Sequence, residues 1–185
     1  MLRTLLIGGT SAIGEQVARH LAASQGALCL TARETGRLEV IAADLRVRGA
    51  EQIATDRLDI NDTADLEDIV PRAAESLGGL DAVILVAGQL PEQDEVNRDP
   101  QRLRGTMEIN ATSAMVLLNE AAAYFEEQGH GQIVAIGSVA GDRGRATNYA
   151  YGAAKGALEI FLSGLRQRLH KRGVQVLLVK PGFVD

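Results

Sequence analysis

Tyr151 and Lys155 stand one helical turn apart in Tyr151-Gly-Ala-Ala-Lys155, and Ser138 precedes them at the end of the apolar run Gln132-Ile-Val-Ala-Ile-Gly-Ser138. Residues four apart on a helix project from one face, so the ammonium comes near the phenol. A neighbouring cation lowers a phenol's pKa, which predicts a tyrosine usable as acid or base near neutral pH. The run ending at Ser138 reads as a buried strand and places its hydroxyl at a strand tip, where open α/β sheets take their ligands. Such a trio suits proton transfer to or from an oxygen. The same spacing also describes an exposed tyrosine beside a solvated lysine, so the rest of the chain must decide.

A second chemical motif lies at the N-terminus. Thr4-Leu-Leu-Ile7 is a short apolar strand, followed by Gly8-Gly-Thr-Ser-Ala-Ile-Gly14 and a helix with Ile13, Val17 and Leu21 on one side. A strand, a glycine turn and a helix N-terminus form an anion cradle, because unpaired N–H groups and the helix dipole both favour negative charge. Gly8 permits the tight turn and Gly14 the close packing of helix on strand. The spacing from Gly9 to Gly14 fits a Walker loop, but Glu15 and Gln16 stand where its Lys and Ser/Thr must be, which disfavours ATP or GTP. A dinucleotide suits the cradle better; a structural turn without a ligand is the other reading.

The elements that must hold these groups alternate along the chain. Leu38, Ile41, Ala42 and Leu45 make one helical stripe, Leu66, Ile69, Val70 and Ala73 a second, and Leu158, Phe161, Leu162 and Leu165 a third. Strands are expected near residues 27–32, 54–58, 82–87, 132–137 and 174–179. Strands separated by helices predict an α/β fold, a parallel sheet with helices on both faces. Gly78-Gly79 and Gly129-His-Gly131 read as helix stops, and the polar segment from residue 89 to residue 100 as a surface loop or short helix.

Here the sequence resembles the short-chain dehydrogenase/reductase family, from the first strand to the last residue. The family's Thr-Gly-x-x-x-Gly-x-Gly motif matches as Ile7-Gly8-Gly9-Thr10-Ser11-Ala12-Ile13-Gly14, with alanine for the middle glycine. Its Asn-Asn-Ala-Gly motif survives as Leu85-Val86-Ala87-Gly88, and its Pro-Gly turn falls on Pro181-Gly182. The catalytic Asn, Ser, Tyr and Lys fall on Asn110, Ser138, Tyr151 and Lys155. The resemblance implies a Rossmann-like doubly wound sheet and an oxidoreductase interconverting a ketone and a secondary alcohol. Thr10, Ser11, Ala12, Ile13, Ala87 and Gly88 join Gly8 and Gly14 as expected cofactor contacts, with Ile60, Tyr151, Lys155, Pro181, Gly182 and Val184. A non-catalytic dinucleotide-binding regulatory or scaffold protein is the alternative.

The expected mechanism has Tyr151 donate a proton to the carbonyl oxygen while Ser138 hydrogen-bonds to it. Lys155 holds the nicotinamide ribose and keeps the phenol acidic, and Asn110, midway along a helix, fixes a water between Lys155 and solvent. Asparagine inside a helix can instead bond to a neighbouring carbonyl. Arg33 ends the second strand, where an acidic residue would accept from ribose hydroxyls; arginine attracts a 2′-phosphate and favours NADP, with NAD possible. It could equally pair with Glu34. Asp59 matches the family's adenine-contacting aspartate, or caps the helix containing Leu66.

Arg143 and Arg145 are either solvated surface charge or a greeting for an anionic substrate. Residues 143–155 and 161–166 carry a narrower resemblance, to a branch containing decaprenylphosphoryl keto-sugar reductases, which implies a sugar- or lipid-linked ketone as a candidate substrate.

With 185 residues and 46% hydrophobic content the chain can bury one substantial core, so one domain spanning 1–185 is expected. The net charge of −5 gives no electrostatic basis for non-specific nucleic-acid binding. No apolar run reaches membrane-spanning length and the N-terminus meets glycine too soon for a signal-peptide core, which predicts a cytoplasmic location. Cys29, the one cysteine, sits in a predicted strand as a structural thiol. His20, His130 and His170 lack ligand spacing, and no metal is expected. Alanines and leucines on the helices holding Asn110 and Tyr151 suit a homodimer or homotetramer. Family members continue past the position of Asp185 into a cofactor-contacting threonine, a substrate-covering segment, a helix and a final strand, so the chain is expected to be C-terminally incomplete.

Overall fold

Alternation within the short apolar runs decides which helix each strand can meet. In β1 (Arg3–Ile7), Leu5 and Ile7 face one side of the sheet and Leu6 the other, each almost wholly buried. The computed structural model describes residues 1–182. β1 pairs in parallel with β2 (Ala27–Ala32) and with β4 (Ala82–Leu85); β2 carries β3 (Gln52–Arg57), and β4 continues through β5 (Gly131–Ile136) to β6 (Val174–Val179). The six-stranded order is β3-β2-β1-β4-β5-β6, so the chain reverses its direction of growth beside β1. This is the Rossmann-like α/β fold.

Helices cover both faces. α1 (Ala12–Ala23) and α2 (Thr35–Val47) pack on Leu6, Leu28 and Leu30. α3 (Thr63–Leu77), α6 (Ser113–Gln128) and α7 (Tyr149–Leu169) cover the other side, where Leu5, Ile7, Val83, Ile133 and Phe125 lie in the larger core. Between β4 and α6 the chain forms α4 (Gln93–Arg98), α5 (Pro100–Met107) and a π turn over Glu108–Thr112. The helix stops are where glycine places them: Gly78 and Gly129 end α3 and α6 with φ of 70° and 81°.

Several boundaries differ from expectation, each for a pairing reason. β3 starts at Gln52, because β2 pairs with it from Ala27 onward. β4 stops at Leu85, since Val86 and Ala87 both donate to the Ile7 carbonyl at the turn, at 2.9 and 3.1 Å. In α1 the fully buried face is Gly14, Ala18 and Ala22, whereas Ile13, Val17 and Leu21 flank it half-buried. Small residues let this helix lie close on the sheet, and the larger ones seal its sides.

Candidate active site

The turn after β1 is built to bring backbone against backbone. Gly8 has φ of 87°, and a Cβ there would sit 2.8 Å from the Ala87 nitrogen, just past the end of neighbouring β4. A Cβ on Gly14 would lie 2.3 Å from the Gly8 carbonyl. Ser11 caps α1: its hydroxyl accepts from Gly14 N at 3.0 Å and donates to Gly8 O at 2.8 Å. The first-turn amides of Ala12 and Ile13 have no intrahelical acceptor, as at any helix start. A phosphate group fits such a cradle.

Two adjoining clefts open at the carboxyl ends of β1 and β4, where the strand order reverses. One, of about 330 Å³, is lined by Gly8, Thr10, Ser11, Arg33, Ile60 and Ala87, with Leu58 and Asn61 beside them. The other, of about 510 Å³, is lined by Ala12, Ile13, Ser138, Tyr151, Lys155, Pro181 and Gly182, and also by Arg145 and Asn148. Ser11, Gly88 and Gln89 belong to both, so the pair forms one elongated crevice of the kind that takes a two-part ligand. The residues present fit a dinucleotide, with Arg33 at one end and Tyr151 at the other.

Not every expected contact is in this crevice. Gly14 packs beneath it, and Val184 lies outside the described residues. Asp59 lines neither cleft; its carboxylate accepts from the backbone and side-chain nitrogens of Asn61 at 3.1 and 3.2 Å. Nor does it cap α3. That cap is Asp62, which accepts from Ala64 N at 3.1 Å because the helix begins three residues later than an Asp59 cap requires. Arg33 is exposed and makes no ion pair with Glu34 or any other residue among those described. Leu58, Asn61, Gln89, Leu90 and Asn148 line the crevice without having been expected there; Leu58, Asn61 and Gln89 adjoin the expected Asp59, Ile60 and Gly88.

Of the four polar candidates, Ser138, Tyr151 and Lys155 line the second cleft, whereas Asn110 lines neither and lies behind Gly88. Ser138 leaves β5 and caps a 3₁₀ turn over Val139–Asp142, accepting from Ala140 N at 3.1 Å. Lys155 is 5% exposed; its Nζ donates to the Ile136 carbonyl at 3.0 Å and lies 5.7 Å from the Tyr151 ring centre. Burial pushes this lysine down to about 8. Burial also holds the Tyr151 phenol above its ordinary range, with the Ser138 hydroxyl acting the other way. The expected acidification of the phenol by the ammonium is therefore not found: burial dominates, and the ammonium donates to the Ile136 carbonyl.

Asn110 is fully buried in the π turn. Its Oδ1 accepts from Gln89 N at 2.9 Å, and its Nδ2 donates to Gln89 O at 2.8 Å and to Thr106 O at 3.0 Å. It does bond a neighbouring helical carbonyl, and it also grips the strap after β4. A Cβ at Gly88 would stand 3.0 Å from Asn110 Oδ1 and 3.4 Å from Lys155 Nζ, so the glycine is what lets both approach.

Fold and crevice together define a nucleotide-binding oxidoreductase, and the comparisons give the family. The short chain dehydrogenase model matches residues 3–185, and the chain belongs to that family. An uncharacterized oxidoreductase of Mycobacterium tuberculosis is 36% identical over 180 residues, covering 97% of this chain and 72% of that one. A short-chain dehydrogenase from Streptomyces avermitilis superposes with a TM-score of 0.89 at 26% identity, over 100% of this chain and 68% of its own. Actinorhodin polyketide ketoreductase with NADPH gives 0.91 at 26% identity, over 98% and 70%. Among the described residues no helix is long and apolar enough to cross a membrane, and no group of three or more His, Cys, Asp or Glu could hold a metal ion.

Proposed function

We propose that this oxidoreductase is one NADP(H)-dependent domain that interconverts a ketone and a secondary alcohol, with Tyr151 as proton donor and acceptor. The observation that carries this reading is that Ser138, Tyr151 and Lys155 line one cleft continuous with the glycine cradle. NADP(H), when bound, supplies or takes the hydride. Tyr151 gives its proton to the carbonyl oxygen in reduction and recovers it in oxidation, and Ser138 donates a hydrogen bond to that oxygen. The raised phenol keeps its proton at neutral pH, which suits the donor role. Lys155, buried with Gly88 and Asn110 around it, holds the ribose and relays a proton to the phenol.

Gly8, Thr10, Ser11, Ala12 and Ile13 hold the pyrophosphate, and exposed Arg33 meets a 2′-phosphate. The actinorhodin ketoreductase with NADPH supports both the reaction class and the cofactor. We place this reaction in the cytoplasm, in keeping with the lack of a membrane-spanning helix among the described residues. Among the described residues, Arg145 and Lys155 are the charged ones lining the catalytic cleft. That balance favours a carbonyl substrate bearing an anionic group, which includes sugar- or lipid-linked phosphates. A homodimer or homotetramer would use the outward face of α7, where Ile160 is 77% exposed.

The test is NADPH oxidation with a panel of ketones. Steady consumption that falls about 10³-fold in Tyr151→Phe, with the NADPH dissociation constant retained, supports the enzyme. Tight NADPH binding with no turnover on any ketone supports a binding protein instead.

A further inference from the structure

Helix α7 begins two residues before Tyr151, and its own cap residue does not cap it. Asn148 makes no side-chain hydrogen bond to the first turn, and its buried Oδ1 has no hydrogen-bond partner among the described residues. The missing acceptor comes from another helix. Gln93, on α4 and only 5% exposed, presents Oε1 to the Ala150 amide at 3.1 Å. Ala150 is the second residue of the helix, the amide an N-cap oxygen ordinarily takes.

The other half of the Gln93 amide is also committed. Its Nε2 donates to Asn97 Oδ1 at 2.9 Å, and the same oxygen accepts from the Tyr149 hydroxyl at 2.7 Å. Both residues immediately before Tyr151 are thus held by α4, one by its amide and one by its side chain. Four residues ahead of Gln93, the strap is gripped by Asn110 at Gln89. The segment after β4 is stitched at one end to the π turn and at the other to the start of α7.

We propose that Gln93 is a positioning residue, an N-cap supplied from another helix that fixes the first turn of α7 and so aims the Tyr151 phenol into the cleft. The proposal rests on the reading of Tyr151 as proton donor. Gln93 lines neither cleft of the crevice. A helix start held by its own cap would follow only its own chain; here the aim of the phenol depends on where α4 lies.

Gln93→Met keeps the volume and removes both amide functions. It should lower kcat about tenfold on a reducible ketone while the NADPH dissociation constant stays within about twofold. Gln93→Glu should recover most of the rate, because a carboxylate accepts the Ala150 amide at the positive end of the helix. A merely structural role would lower stability in both variants and leave kcat per folded molecule unchanged, and that result overturns the proposal. Hydrogen exchange supplies a readout independent of turnover and of the variants' folding: in the wild-type protein the Ala150 amide should be protected, and an unprotected Ala150 amide also overturns it. If wild type consumes no NADPH with any ketone yet Ala150 is protected, the cap stands and the proposed reaction fails.

Discussion

The Asn110 side-chain amide closes a two-bond ring with the backbone of Gln89, accepting its N–H and donating to its carbonyl. A peptide unit held on both its polar groups has little freedom, so Gly88 and Gln89 stay at the junction of the two clefts. Asn110→Leu removes this ring and the bond to Thr106 O at once. We expect about 3 kcal/mol of lost stability in urea denaturation, the cost of leaving buried backbone groups unpaired. Unchanged stability would show that water replaces the amide without penalty.

Gly88→Ala tests the crowding beside that ring. The added methyl must displace Asn110 Oδ1 or Lys155 Nζ by a few tenths of an ångström, since it would start 3.0 and 3.4 Å from them. Overpacking of this kind costs about 1–2 kcal/mol. The expected signature is a modestly lower melting temperature with a larger fall in kcat, because the displaced groups surround the site. A variant with wild-type kcat would exclude tight coupling between this gap and turnover.

Arg33→Asp addresses cofactor choice. The guanidinium is exposed at the edge of the first cleft and is not spent on an ion pair among the described residues. Replacing it by a carboxylate should weaken NADPH binding at least tenfold and leave NADH unchanged or improved. Isothermal titration with both cofactors measures this directly, and equal dissociation constants in wild type and variant would remove Arg33 from the account.

Lys155 gives the cofactor-free protein a distinctive pH dependence. Its pKa falls from 10.5 unfolded to about 8 folded, so between those values the unfolded chain binds more protons and stability rises with pH. The contribution is smallest below about pH 8 and amounts to a gain of about 2 kcal/mol from about pH 7.5 to about pH 9.5. Tyr151, raised by burial, works in the opposite sense only at higher pH, where the unfolded phenol ionises first. Denaturation of wild type and Lys155→Met across this window should show the slope in the first and its loss in the second. Parallel curves would mean the ammonium is better solvated than its burial implies.

How much of this was legible in the chain depended on the range of the interaction. Local signals carried the parallel sheet: apolar runs gave all six strands, and Gly78 and Gly129 marked their helix ends. Ordered motifs brought Ser138, Tyr151 and Lys155 to one cleft, because each sits at a strand tip or on a helix whose place follows from the sheet. Short-range ambiguity misled elsewhere: Asp59 and Asp62 are both suitable caps, and only the observed start of α3 chooses between them. The upward shift of the Tyr151 phenol is not legible from spacing, which reports proximity and says nothing of desolvation. The π turn and the Gln93 contact were invisible for a related reason. Both depend on how α4 and α5 settle against α7, a packing outcome that no window of residues encodes.

Because every strand runs the same way, both clefts open on one rim of the sheet and the α-to-β turns lie on the other. In the turn between α2 and β3, Arg48, Gly49 and Glu51 are exposed, and the turn shares no lining with either cleft. An affinity handle, a fluorophore or an attachment to a solid support grafted there would leave the working rim facing solution, free to receive its guests.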